Sequence, residues 1–231
     1  VALGRVEQRW EGLLALRQEL SDTGLGFDAC GGYEVFRHGD PAFDAVCAGL
    51  DGLNKDLHAI MGHAPFAWAD ERIASLGLRA AHLVHTPLEG AINSAMLHAH
   101  LLQRVLHAGI IVQMATEVVR LEEAPDAVAL RTADGRELRA ARVVMATNGY
   151  VAQLLPEVRV HPARGQVLVT APIPDLKLHG TFHLDEGFYY FRHLGDRVLL
   201  GGGRHLDVEG ETTWTDATTP RIQDALEDLL R

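Results

Sequence analysis

The sequence lacks the features that would assign it to a membrane, a nucleic acid or an extracellular scaffold. No run of roughly 18 apolar residues occurs, so no membrane-spanning helix is expected. Lys and Arg total 21 against 31 Asp and Glu, and the formal net charge of −10 disfavours binding to nucleic-acid phosphates. The two cysteines, Cys30 and Cys47, form neither a CxxC motif nor a disulfide framework. We therefore expect a cytoplasmic protein that binds a small molecule.

Apolar and charged residues are balanced as in a globular protein, at 47% and 23% of the 231 residues. This length fits one large domain or two small ones. Periodicity predicts helices over 3–20, 40–60, 94–108 and 219–231, and an irregular segment over 64–88. Strands are predicted over 32–36, 110–112, 117–121, 128–132, 137–140, 142–147, 166–170, 188–192 and 197–202. The predicted fold class is mixed α/β, with antiparallel hairpins beside a βα-type unit.

One segment matches the Gly-x-Gly-x-x-Gly/Ala fingerprint of dinucleotide-binding turns, namely Gly24-Leu25-Gly26-Phe27-Asp28-Ala29. That turn binds pyrophosphate only where a strand precedes it and a helix follows, because the helix N-terminus must face the phosphates. Here a predicted helix precedes the glycines and a predicted strand follows them. We interpret the segment as the C-terminal cap of the first helix.

Thirteen histidines raise the question of a metal site. His82 and His85 lie three residues apart in an apolar stretch. His98 and His100 lie two apart on a predicted helix, so they point to different faces. No His-Glu-x-x-His motif and no Cys/His cluster with zinc-ligand spacing occurs. A structural or surface role is favoured for the histidines, and no metal is expected.

Glycines follow two apolar segments. Gly149 comes after the segment 142–147, which is apolar enough for a strand buried on both faces. Gly201, Gly202 and Gly203 follow the strand that contains Val198. Glycine at a strand end lets the backbone approach a ligand closely. A tight turn explains Gly149 equally well, and a flexible loop explains the three glycines, so both interpretations stay open at this point.

A short aromatic strand carries the clearest candidate for substrate binding. A period of two puts Phe188, Tyr190 and Arg192 on one face of a sheet and Tyr189 and Phe191 on the other. An arginine beside aromatic rings can hold a carboxylate, since its planar fork matches two oxygens. The alternation of side chains alone equally supports the alternative that Arg192 lies on an edge strand and points into water. No Gly-x-Ser-x-Gly elbow occurs, so covalent hydrolysis has no support.

Several segments in a fixed order carry a family resemblance. They are Leu88-Glu89-Gly90-Ala91-Ile92-Asn93, the helix 94–108, Ala108-Gly109-Ile110, Thr116-Glu117-Val118, Asp134-Gly135, the segment 142–149, Arg164-Gly165-Gln166-Val167-Leu168, the segment 188–192 and the segment 199–203. Together they resemble the D-amino-acid oxidase superfamily of FAD-dependent oxidoreductases, which includes glycine oxidase, sarcosine oxidase and D-amino-acid dehydrogenases. The resemblance covers most of the chain. It implies part of an FAD-binding Rossmann-like domain and an antiparallel substrate-binding sheet.

The resemblance also implies roles for single residues. Arg192 and Tyr190 match the place where such enzymes hold the substrate carboxylate over the flavin. The positions that resemble cofactor contacts are Glu117 and Val118 at the adenine end, Thr147, Asn148 and Gly149 in a turn beside FAD, and Gly201 and Gly202 at the flavin ring. The cofactor implied is FAD.

The domains implied are a first part of the substrate domain over 1–87, a cofactor domain over 88–158 and a second part of the substrate domain over 159–231. The family opens with a strand and a glycine turn for pyrophosphate, and no such turn precedes Val1. We therefore expect the central portion of a longer enzyme, with weak FAD binding by this chain alone. The reaction implied is oxidation of the C–N bond of an amino acid or amine by hydride transfer to flavin. The alternative is a cofactor-free binding or assembly module, or an inactive fragment, of the same fold; whether the chain forms a homo-oligomer is left open.

Overall fold

Helices begin and end the part of the chain that the computed structural model describes, residues 2–230. Val1 and Arg231, at the two ends of the predicted domains, lie outside the described residues. The α-helices in that range are α1 (Ala2–Leu25), α2 (Phe43–Met61), α3 (Ile73–Leu76), α4 (Ser94–His107), α5 (Val151–Leu154) and α6 (Pro220–Leu229). The four longer ones confirm the helices predicted from the sequence.

Local signals set the helix ends. Asn93 caps α4, since its side-chain oxygen accepts hydrogen bonds from the backbone N–H groups of Ala95 and Met96, at 3.1 Å each. Pro220 lies in the first turn of α6, where a backbone N–H would lack a helical partner anyway. After α1 the chain turns at Gly26, whose φ is 54°. The apparent dinucleotide fingerprint therefore ends a helix, as predicted.

The strands form two sheets. In chain order they are β1 (Gly32–Phe36), β2 (Ala67–Trp68), β3 (His82–Thr86), β4 (Val118–Glu123), β5 (Val128–Thr132), β6 (Glu137–Ala140), β7 (Val167–Val169), β8 (Thr181–Leu184), β9 (Tyr189–Leu194) and β10 (Arg197–Gly202). The larger sheet has the order β2-β3-β1-β8-β9-β10-β7, and the smaller one has the order β4-β5-β6. Neighbouring strands are antiparallel except for β1 and β8, which are parallel. The mixed α/β class is thus confirmed.

The main core lies on one face of the larger sheet, beneath α6. Its buried members alternate along the strands and meet Ile222 and Leu226 of the helix. The largest contributors from the strands are Tyr33, Leu83, Phe182, Leu184, Tyr189 and Leu200. Burial of these side chains supplies the dominant favourable free energy of this part of the fold.

The opposite face of the larger sheet is only partly covered. At the β1–β3 side, α2 packs on it through Val46, which contacts the cluster of Phe36 and Val84. Toward β8, β9, β10 and β7 the face lies open. We call this area the open face; its side chains are Val167, Val169, His183, Tyr190 and Arg192.

Two predicted strands are not formed. Residues 110–112 and 142–147 have no strand partner in the described chain, and the side chains of Ile111 and Val144 are 84% and 89% exposed. The apolar character of these segments predicts strands, but a strand needs neighbours for its backbone N–H and C=O groups. The prediction that 142–147 is buried on both faces is therefore wrong for this chain.

The segment 64–88, predicted to be irregular, contains β2, α3 and β3. β3 lies inside the larger sheet between β2 and β1. Its adjacent residues Leu83 and Val84 are both buried because a neighbour packs on each face, so the period-two signal is blurred. β8 was also not predicted, although its sequence Thr-Phe-His-Leu alternates as a short strand does.

Among the described residues, no helix combines the length and the apolar character needed to cross a bilayer.

Candidate functional site

β9 presents Arg192 on the open face. Tyr189 and Phe191 pack on the core, whereas Tyr190 and Arg192 point to the other side, as alternate positions in a strand do. In register, Arg192 lies between Thr181 of β8 and Leu199 of β10. The prediction that Tyr190 and Arg192 lie on the same face of the sheet is confirmed.

The guanidinium of Arg192 has no anionic partner among the described residues. Within that part of the chain its one hydrogen bond runs from Nη1 to the carbonyl oxygen of Ile92, at the long distance of 3.5 Å. Arg192 is half-buried, so its charge is partly removed from water. A half-buried guanidinium without an anionic partner is suited to bind a carboxylate, to which it would donate two parallel charge-assisted hydrogen bonds.

Tyr190 covers the glycine opposite it in the β9–β10 hairpin. A Cβ on Gly201 would lie 2.6 Å from Cζ and the hydroxyl oxygen of Tyr190, so only glycine leaves room for this ring. Gly202 has a φ of 122°, and a Cβ there would collide with the carbonyl oxygen of Phe188. The backbone of the hairpin thus requires glycine at 202, whereas a side chain at 201 would have to displace the ring of Tyr190. Contact of either glycine with a flavin ring stays a prediction.

Phe188 lies just before β9 and is exposed. Its ring contacts the ring of His205, with centroids 4.4 Å apart. It therefore does not continue the row of Tyr190 and Arg192 within the strand, although the sequence period placed it there.

The open face has an acidic end that the sequence analysis missed. Glu34 of β1 lies opposite His183 of β8, with Oε2 and Nδ1 4.0 Å apart. The side chain of Glu89 fills the space beside Gly32 on the same face. Burial raises the pKa of Glu34, and the nearby charge of Glu89 raises it further while His183 opposes the shift. The alternation along β1 could have revealed this acidic end from the sequence. It places Glu34 on the other face of the sheet from the core residues Tyr33 and Val35.

The predicted adenine-side residues lie in the smaller sheet. Val118 begins β4, and the carbonyl oxygen of Glu117 accepts a hydrogen bond from the N–H of Ala133. α5, which follows the predicted cofactor turn, packs on β4. The cofactor roles of Glu117, Val118 and the turn stay predictions.

The predicted cofactor turn is a short 3₁₀ turn over Asn148–Tyr150, preceded by Thr147. Asn148 has a φ of 49°, and the carbonyl oxygen of Gly149 accepts a hydrogen bond from Nε1 of Trp214 at 3.0 Å. A Cβ on Gly149 would make only an ordinary contact with Pro162. Packing within the described chain therefore gives no reason for glycine at this position.

The described residues fit one end of FAD and not the other. A half-buried arginine, a tyrosine and exposed apolar side chains on the open face suit a flat ring and an acidic substrate. The pyrophosphate needs a glycine turn that leads into a helix. The glycines of 24–26 do not provide one, since Gly26 faces Asn93 and Met96 with a Cβ position only 2.8 Å from their atoms. Among the described residues, the turns 37–42 and 87–93 each join a strand to an α-helix, but each contains a single glycine and neither has the Gly-x-Gly-x-x-Gly pattern.

A cavity of about 590 Å³ lies on the other side of the larger sheet, at the end of α6. Its lining is mainly apolar core, with Arg37, Arg79 and Asp228 as the charged members. None of the predicted site residues lines it, so the open face and not this cavity is the candidate site.

Several solved structures share this fold. L-proline dehydrogenase from P. horikoshii has a TM-score of 0.73 at 15% identity, over 98% of this chain and 61% of its own. Iminodiacetate oxidase from a Chelativorans species has a TM-score of 0.72 at 18% identity, over 99% of this chain and 62% of its own. Glycine oxidase from Geobacillus kaustophilus has a TM-score of 0.66 at 20% identity, over 100% of this chain and 61% of its own. The chain thus spans about three fifths of the length of these relatives.

The fold is therefore that of a class of dehydrogenase and oxidase structures. The family model described as FAD dependent oxidoreductase matches residues 4–231, nearly the whole sequence. The chain belongs to this family. A search of curated proteins finds no match.

Proposed function

We propose that this chain is the substrate-binding part, with a portion of the cofactor-binding part, of an FAD-dependent enzyme that oxidises the C–N bond of an amino acid or amine. The observation that carries the proposal is Arg192, half-buried on the open face and without an anionic partner among the described residues. The names of the similar structures support it, since glycine, L-proline and iminodiacetate each combine a carboxylate with an amine.

Arg192 and Tyr190 would bind and orient the substrate. The guanidinium holds both carboxylate oxygens, which fixes the position and the rotation of the substrate on the open face. The hydroxyl of Tyr190 adds one neutral hydrogen bond from the neighbouring position. No side chain has to remove a proton if the substrate arrives as the neutral amine. When bound, FAD supplies the hydride acceptor for the carbon that bears the amine.

The cofactor contacts stay proposals. Glu117 and Val118 would lie along the adenine end, and Thr147, Asn148 and Gly149 would pass beside the cofactor. Gly201 and Gly202 would lie under the ring, and at Gly202 the hairpin backbone leaves no room for a Cβ. Because no described turn fits the pyrophosphate, we expect the chain alone to lose FAD on gel filtration, and stoichiometric yellow protein after that step would show this expectation to be wrong.

The test uses the whole protein loaded with FAD and kept free of oxygen. Amino acids such as glycine and L-proline should bleach the visible band of the oxidised flavin, whereas glycolate, which has a hydroxyl in place of the amine, should not. Bleaching by glycolate to the same extent would contradict C–N specificity. Whole protein that takes up no FAD would favour the cofactor-free module.

A further inference from the structure

Three side chains from two distant parts of the sequence meet at the end of β9. Asp28, Cys30 and His193 each offer one metal-binding atom, and these atoms all lie within 4.8 Å of one another. Nε2 of His193 and Oδ2 of Asp28 are 3.2 Å apart. In a tetrahedral zinc site neighbouring ligand atoms lie about 3.3–3.6 Å apart, given bonds of about 2.0 Å to nitrogen or oxygen and 2.3 Å to sulfur. The one pair with a known separation, His193 and Asp28, is thus already close to that spacing.

The backbone orients His193 for such a role. Its Nδ1 lies 3.4 Å from the carbonyl oxygen and 3.2 Å from the N–H nitrogen of Gly180. When Nδ1 donates to the carbonyl, the lone pair of Nε2 is left for a cation on the side of Asp28 and Cys30. When Nδ1 instead accepts from the N–H, Nε2 donates to Asp28, and this tautomer describes the metal-free site.

A fourth ligand is available from a neighbouring loop. His179 stacks on His193 with ring centroids 4.4 Å apart, and its Nε2 lies 3.7 Å from Oδ2 of Asp28. His179 is exposed, so a rotation of its side chain meets little resistance. The cluster thus has a buried side at Cys30 and a solvent side at Asp28 and His179, through which an ion can enter.

We propose that Asp28, Cys30 and His193, joined by His179, form a binding site for a divalent transition-metal ion of the zinc type. A thiolate, a carboxylate and imidazoles are the donors that Zn²⁺ prefers, and the two anionic donors balance its charge. The site lies on the loop before β1, the loop before β8 and the end of β9, so the ion would tie three segments together. This inference rests on the cluster alone and not on the proposed function.

The surroundings of Cys30 disfavour a free thiolate when no cation is present. Burial raises the pKa of the Cys30 thiol, the charge of Asp28 raises it further, and the nearby Arg192 lowers it. A metal ion replaces the proton of the thiol and removes the repulsion between thiolate and carboxylate. Cys47, the other free cysteine, is exposed on α2 and has no described metal-binding partners.

The experiment is a titration of the reduced, chelator-treated whole protein with Co²⁺, which reports its ligands by absorption. Binding of a single equivalent should produce a thiolate-to-cobalt charge-transfer band in the near ultraviolet, and Zn²⁺ should displace it. Cys30→Ser should abolish the band and Cys47→Ser should keep it. Loss of the band in Cys47→Ser would overturn the assignment, and so would the absence of any thiolate band in the unmodified protein.

Because Cys30 is buried, Cys30→Ser could lose the band through a folding defect. A second set of variants tests the site at residues other than this buried cysteine. Asp28→Asn and His193→Gln, with far-ultraviolet circular dichroism unchanged, should weaken Co²⁺ binding by at least about tenfold. His205→Gln is the matched control, since the ring of His205 also contacts an aromatic ring but lies outside the cluster. Equal affinity in all of these variants would show that Co²⁺ binds elsewhere and would refute the site.

Discussion

The larger sheet with α6 and the stretch between Ile92 and Gly165 differ sharply in how they bury side chains. The larger sheet encloses a continuous core that includes Leu83, Phe182 and Leu200, each at most 1% exposed. In the 92–165 stretch, which is described throughout, Thr132 is the only buried residue. We call these parts the sheet region and the middle region.

The difference does not come from a lack of apolar residues in the middle region. Ile110, Ile111, Met114 and Val144 are all there, and all are exposed. Apolar sequence becomes core only when other elements cover it, and in the described chain nothing pairs with 110–112 or 142–147. The sheet region therefore presents the candidate site on a packed scaffold, whereas the middle region has apolar segments that lack strand partners among the described residues.

The largest expected difference between the two regions is in amide hydrogen exchange of this chain. Amides in β8, β9 and β10 are hydrogen-bonded inside a sheet and should exchange through global opening, with protection on the order of a thousandfold or more. Amides of 110–114 and 142–147 should exchange close to the rate of an unfolded peptide. Mass spectrometry of peptic peptides measures both in one experiment. Strong protection of 142–147 in the isolated chain would contradict the comparison.

A matched pair of leucines tests the same contrast by stability. Leu200 in β10 is 1% exposed, and Leu106 in α4 is 53% exposed. Leu200→Ala should lower the free energy of unfolding by about 3 kcal/mol, since it removes buried methyl groups and leaves a cavity. Leu106→Ala should change it by less than about 0.5 kcal/mol. Urea unfolding followed by circular dichroism measures both, and similar losses would show that the middle region is as well packed as the sheet.

Ion pairs provide a third contrast. At the end of the middle region, Arg164 pairs with Glu211, which lies between β10 and α6. Glu211 is almost fully buried and accepts hydrogen bonds from Nη2 of Arg164 at 2.6 Å and Nε2 of Gln166 at 2.8 Å. In the middle region, Arg120 and Glu122 pair at 2.8 Å with both side chains exposed. Glu211→Ala should cost about 3 kcal/mol because it leaves a guanidinium without its partner. Glu122→Ala should cost at most about 0.5 kcal/mol.

The same carboxylate predicts a pH dependence. The hydrogen bond from Arg164 lowers the pKa of Glu211 below its ordinary value, with further help from Gln166 and against the effect of burial. Stability from this group is therefore complete above the unfolded pKa of about 4.3 and is lost as the pH falls toward the folded value. Thermal unfolding should be measured between pH 6 and about pH 3. The melting temperature should fall less over this range in Glu211→Gln than in the unmodified chain. An equal fall in melting temperature in both proteins would show that other carboxylates cause the loss of stability in acid.

Local signals were enough to predict much of this fold. The Asn93 cap, the Pro220 start of α6 and the β9–β10 hairpin around Gly195 follow from interactions between residues close in sequence. The parity of Arg192 follows from the strand period. These features do not depend on what the rest of the chain does.

Features that depend on distant partners were not predicted. The parallel pairing of β1 with β8 joins residues about 150 positions apart, and no local sequence pattern predicts this pairing. The Asp28–Cys30–His193 cluster escaped a search for metal-ligand spacing for the same reason. The segment 142–147 is the opposite case. Its local sequence predicts a strand, but no strand forms because the described chain supplies no neighbouring strand for it.

The central claim is that Arg192 binds the carboxylate of the substrate, and paired steady-state kinetics test it most directly. The whole FAD-loaded protein is assayed with an amino acid and with its decarboxylated amine. Arg192→Ala should lower kcat/KM for the amino acid by about 30- to 1,000-fold, equivalent to about 2–4 kcal/mol, and leave the amine nearly unchanged. Arg192→Lys should recover little, because the charge remains but the fork is lost. Arg139→Ala, an exposed arginine of the middle region, should behave as the unmodified protein. Equal losses for both substrates, or no loss for either, would contradict the account.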